Sequence, residues 1–131
     1  MRLLLDTHIA LWAIVDDRRL SAKARALIVD PANEVVVSAA SLWEIAIKYA
    51  LARGTPNDMP IPAQEARGYF FAAGYELLDV SPAHVIAVET LPALHADPFD
   101  RILVAQALNV PLRLLSGDPK VASYSDSIIS V

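Results

Sequence analysis

The sequence predicts an α/β protein, with a five-stranded parallel sheet flanked by helices. Three observations predict it. Five short apolar segments are rich in leucine or β-branched residues and run continuously rather than alternating, the pattern of strands buried on both faces. Helical segments separate the first four of these, which implies parallel strands joined by crossover helices. Hydrophobic residues make up 55% of the chain and charged residues 20%, a composition that supports a covered core rather than disorder. A length of 131 residues suits a single domain spanning residues 1–131.

The first strand is RLLLD, residues 2–6, and it ends on an aspartate. IALWAIVDD and SAKARALIV supply helices before the second strand, EVVVS at 34–38. SLWEIAIKYALARG follows, with Ser41 as its expected cap and Gly54 as its stop. GTPNDMPIP, residues 54–62, is too short for a linker and is expected to form one ordered loop. PAQEARGYFFAAG and SPAHVIAVETL flank the third strand, YELLDV at 75–80, and each carries a proline suited to a first helical turn. PFDRILVAQALN leads into the fourth strand, LRLLS at 112–116, and SIISV at 127–131 is the fifth.

Eleven basic residues against fifteen acidic ones give a net charge of −4. That disfavours a broad electrostatic clamp on duplex DNA, where affinity comes from neutralising phosphates. It leaves room for a nuclease, which concentrates carboxylates in its site. Cysteine is absent, removing disulfides, thiolate zinc sites and cysteine nucleophiles. Asp6 interrupts the first apolar run too early for a signal peptide, and no run is long enough for a membrane span, so a cytoplasmic protein with no membrane partner is expected. The four glycines form no phosphate-binding loop, and no serine sits in a nucleophile elbow.

Ligands of an open α/β sheet bind beyond the carboxyl ends of its strands. Acids recur at that edge. Asp6 closes the first strand, Glu44 lies early in the helix after the second, Asp97 and Asp100 open the helix before the fourth, and Asp118 follows that strand. Each also has a plainer role. Ser41 and Glu44 have capping-box spacing, Asp97 and Pro98 fit a cap and first helical position, Asp100 favours the helix dipole, and Asp118-Pro119 suits a turn. Asp6 is harder to explain that way, because an acid ending an apolar strand risks burial as an unpaired charge. A single metal site accounts for the whole set. Oxygen donors without cysteine favour a hard divalent ion such as magnesium or manganese (Mg²⁺ or Mn²⁺).

With LLLDTHIALW, SAASLWEIAIK, HADPFDRILVAQA and LLSGDPKVASY in this order, the sequence resembles the PIN domains, and among them the VapC toxins of bacterial toxin–antitoxin pairs. The resemblance covers nearly the whole chain. It implies a five-stranded parallel sheet, metal-dependent cleavage of RNA, a VapB-like antitoxin and a homodimer. It places Asp6, Glu44, Asp100 and Asp118 at the four acidic positions, with Asp6 and Asp100 as the expected direct metal ligands. Glu44 and Asp118 bind directly, through water, or with a second ion. Asp97 belongs to the same motif without an assigned metal contact.

Thr7 and Ser116 are expected to orient Asp6 or Asp118 through their hydroxyls. His8 and His95 suit either a substrate contact or a hydrogen bond at a helix start. Arg101 suits either an ion pair or a phosphate contact. His84 is expected at the surface, and Trp12 and Trp43 in the core, with a place in a partner groove as their other reading. Two other enzyme classes share part of the pattern. A haloacid-dehalogenase-like phosphohydrolase also starts with a strand ending in aspartate, yet needs a second acid where this chain has His8. A phosphoacceptor receiver needs its aspartate after the third strand, where Asp79 stands. A non-catalytic module with an acidic pocket for a basic partner side chain uses the same acids.

Overall fold

Leu3, Leu4 and Leu5 have no exposed surface, because they run through the middle of the sheet. The computed structural model describes residues 1–55 and 58–131. Strand β1 (Arg2–Leu5) is central. On one side lie β2 (Glu34–Ser38) and then β3 (Glu76–Leu78); on the other lie β4 (Arg113–Ser116) and then β5 (Ile129–Ser130). Every pairing is parallel, with Leu4 level with Val36 and Leu114. The continuous apolar strands therefore bury side chains both ways. Leu3, Leu5, Val35 and Val37 enter one cluster, and Leu4, Val36 and Leu114 the other.

Helices cover both faces: α1 (Thr7–Val15), α2 (Ala22–Val29), α3 (Ala39–Ala50), α4 (Ala63–Ala72), α5 (Pro82–Ala87), α6 (Pro98–Asn109) and α7 (Pro119–Ala122). Ile9, Ala24 and Phe70 of α1, α2 and α4 join the first cluster, and Leu103 of α6 and Val121 of α7 the second. Helix α3 gives Ala40 to one cluster and Ile45 to the other, so it spans both layers directly after β2. Gly74 ends α4 at φ +80°, a conformation that costs glycine no Cβ clash, and lets the amide of Tyr75 reach back to Phe70.

Several boundaries differ from the sequence expectation. Helix α3 starts at Ala39 with Ser38 as its cap, not at Ser41, and ends at Ala50 rather than running to Gly54. Helix α7 was not expected, and β5 spans two residues instead of five. The expected loop at 54–62 includes Pro56 and Asn57, which lie outside the described residues. Trp12 packs against the first cluster, but Trp43 is 59% exposed, contrary to expectation. Helix α3 buries Ala40, Ser41, Glu44 and Ile45, and position 43 falls off that stripe. Among the described residues no helix is long and apolar enough to cross a membrane.

Candidate metal centre

The chain adds strands outward from β1 on one side, then returns to lay β4 against β1 on the other. The crevice beyond the carboxyl ends of β1 and β4 is thus the topological switch point, where open α/β sheets bind ligands. A cleft of about 650 Å³ opens there, lined among others by Asp6, Glu44, His95, Asp97, Asp100 and Asp118. All five acids picked out in the sequence reach it, although they are spread from position 6 to position 118.

Local structure delivers each one. Asp6 leaves β1 with its amide donating to the carbonyl of Leu115, and its Oδ1 caps α1 by accepting from Ile9 at 2.9 Å. Asp97 caps α6, its Oδ1 accepting from the amides of Phe99 at 2.8 Å and Asp100 at 3.2 Å. Asp118 caps α7 through Lys120 at 2.8 Å. Asp100 stands in the first turn of α6, where the helix dipole favours an acid. Glu44 forms no capping box, because Ser41 lies inside α3. It is only 3% exposed, takes the ammonium of Lys48 on Oε2, and among the described residues has no partner for Oε1.

Ser116 is fully buried, its Oγ accepts from the amide of Asp118 at 3.1 Å, and it lies beside Asp6. The Thr7 hydroxyl goes elsewhere. It donates to Ser41 at 2.9 Å, binding the start of α1 to α3 rather than orienting Asp6 or Asp118. Burial pushes the Asp6 carboxyl up to about 6, against the pull of the Ile9 amide and the Ser116 hydroxyl, and Asp100 adds to the rise. Asp100 is raised as well, by burial and by the charges of Asp97 and Glu44, with its bond to His95 opposing.

The histidines separate by environment. His95 Nε2 lies 2.7 Å from Asp100 Oδ2 and 3.6 Å from Asp118 Oδ2, between two acids of the cleft. His8 is exposed at the rim, 5.9 Å from the ring of Trp12. His84 is not a free surface residue. It completes a capping box with Ser81 and faces Gln106 at 3.3 Å. Among the described residues Arg101 makes no ion pair. Its guanidinium donates to the carbonyls of Pro92, His95 and Val88 and to the hydroxyl of Tyr124, fixing the segment before α6. Only its spacing, four residues after Glu44, marks Lys48 in the sequence. Asp79 follows β3 at the sheet edge, away from this cleft, so a receiver-type site finds no support.

The PIN domain family model matches residues 3–126. Ribonuclease VapC22 of Mycobacterium tuberculosis is 30% identical over 122 residues, covering 92% of this chain and 90% of that protein. VapBC2 from Rickettsia felis, solved with a DNA fragment from its promoter, superposes with a TM-score of 0.67 at 16% identity, over 100% of this chain and 98% of that one. A toxin–antitoxin complex from Klebsiella pneumoniae gives 0.63 at 18% identity, over 98% and 96%. At such identities the structures attest the fold, the expected five-stranded parallel sheet. With the family match along almost the whole sequence and a relative of matching length, this chain belongs to the PIN domain family.

Proposed function

We propose that this protein is a metal-dependent endoribonuclease, a cytoplasmic toxin inhibited by a VapB-like antitoxin. One observation carries the proposal. Asp6, Glu44, Asp100 and Asp118 share one cleft at the switch point, and Glu44 has a buried oxygen with no hydrogen-bond partner among the described residues. Such an oxygen is costly to leave unpaired, and the crowded acids hold one another's charge at a cost. A divalent cation relieves both, so the residues fit a metal, with Mg²⁺ or Mn²⁺ suited to the oxygen donors. The VapC22 relative supports ribonuclease chemistry, and fold neighbours solved as toxin–antitoxin complexes support the partner.

When bound, the ion lowers the pKa of a coordinated water and neutralises charge on the phosphodiester. The chain supplies the rest. Asp6 and Asp100 are the proposed direct ligands, one fixed by the end of β1 and the other by the first turn of α6. Glu44 and Asp118 complete the donor set, and Ser116 holds the backbone of Asp118 in place. Lys48 balances part of the charge on Glu44 and keeps its carboxylate from turning away. For the partner, an apolar groove of about 450 Å³ lies beside the acids, lined by Ala39, Ala40, Trp43, Val85, Val88 and Ile102. An antitoxin segment seated there can send a lysine or arginine among the carboxylates. A homodimer of the toxin belongs to the same proposal.

Free of any antitoxin, the purified protein is expected to cut structured RNA in Mg²⁺ or Mn²⁺ and to stop in EDTA. Asp100→Asn is expected to abolish cleavage while the metal-free protein stays as stable as the wild type. Cleavage undiminished by EDTA would sink the metal mechanism. Hydrolysis of a small phosphomonoester without RNA cleavage would favour the phosphohydrolase alternative. Coexpression with an adjacent small gene should give an inactive complex, and a fully active one would remove that gene product as the inhibitor.

A further inference from the structure

We infer that His95 is a metal ligand, which adds a nitrogen donor to the carboxylates and makes the site prefer first-row transition ions to Mg²⁺. The inference rests on the metal reading of the cleft and refines it. The sequence suggested oxygen donors alone. The structure places the Nε2 of His95 with one oxygen each of Asp100 and Asp118, all three donor atoms within 4.8 Å of one another. Neighbouring donors around an octahedral ion stand about 3 Å apart when each lies ~2.1 Å from it. The separations of 2.7 Å and 3.6 Å from Nε2 bracket that spacing.

A second, independent feature belongs to the same cleft: Glu44 lines it, is 3% exposed, and has no hydrogen-bond partner for Oε1 among the described residues. The backbone around His95 is also tied to α6. Arg101 directs its guanidinium at the carbonyls of Val88, Pro92 and His95 and at Tyr124, rather than at any acid. Its placement fixes the imidazole between the two aspartates. As a ligand the neutral ring offers the lone pair of Nε2 to the ion and carries its single proton on Nδ1. A nitrogen ligand strengthens binding along the first-row transition series, whereas Mg²⁺ favours oxygen and water.

Pulsed electron paramagnetic resonance of the Mn²⁺-loaded protein is the direct test. The wild type is expected to show coupling from ¹⁴N to the bound Mn²⁺, replaced by ¹⁵N coupling when the protein is labelled with ¹⁵N-histidine. His95→Ala should lose the coupling and weaken Mn²⁺ binding about tenfold or more, with Mg²⁺ binding changed less than about threefold. Calorimetric titration with each metal alone reads the second part. His8→Ala should keep the coupling. Mn²⁺ bound without nitrogen coupling in the labelled wild type overturns the inference, even if His95→Ala fails to fold. So does coupling that survives His95→Ala and vanishes in His8→Ala. If the wild type binds no Mn²⁺ by either method, the metal reading itself falls, and this inference with it.

Discussion

Asp6, Asp97 and Asp118 each use Oδ1 to accept an amide at the start of a helix, yet all three line the cleft. A carboxylate has two oxygens, so capping a helix and serving a site are compatible for one side chain. That is why HADPFDR looked like a helix start and a metal motif at once: Asp97 takes the cap, and Asp100, three residues on, turns Oδ2 to His95. Burial gives Asp6 a testable signature. Its folded value of about 6 lies above its unfolded value, so its charge costs stability at neutral pH, on the order of 2–3 kcal/mol without metal. The cost is fully present above about pH 6 and fades as pH falls toward the unfolded value. Asparagine keeps a capping oxygen and removes the charge. In EDTA, Asp6→Asn should therefore be more stable than the wild type at pH 7, with the gap closing near pH 4.5. Urea melts at both values check this, and a mutant equally destabilised at both contradicts it.

Among the elements, α6 and β2 have the bounds expected of them, because a cap-plus-proline start and a β-branched run are strong local signals. Local signals failed where tertiary contacts decide. Two serines compete for the start of α3, and Ser38 takes it because Ser41 is needed inside, against Thr7. Residue type alone favours the core for Trp43, while the buried stripe of α3 runs past it. Four residues of α7 are too few to carry a period, so only its Asp-Pro opening was visible. His95 was marked by proximity to acids, but its choice of Asp100 depends on a loop that Arg101 shapes from the next helix. The Thr7–Ser41 bond gives a prediction at this level. It is buried and joins the helix after β1 to the helix after β2, the two that carry Asp6 and Glu44. Thr7→Val should cost ~1–2 kcal/mol by stranding the Ser41 hydroxyl. Adding Ser41→Ala should cost less than the sum of the two single changes, as a double-mutant cycle in urea would show.

At the scale of the whole molecule, the centre of the sheet joins the first strand made to one made more than a hundred residues later, with Leu3 level with Arg113. Contacts so distant in sequence form late in folding, after loop closure over most of the chain. The acids follow the same plan, since Asp118 arrives only after β4 has been added beside β1. A protein ending at residue 111 should bind no Mn²⁺ measurably and cleave no RNA, whereas the full chain is expected to do both; calorimetry and a cleavage assay compare them. For an enzyme whose proposed substrate is RNA, this has a bearing on its own synthesis. A half-made chain emerging among ribosomes and messages has no assembled centre with which to attack them. On the proposed reading, the parallel pairing of β1 with β4 acts as a timing device, arming the molecule only once the segment that carries Asp118 has been made.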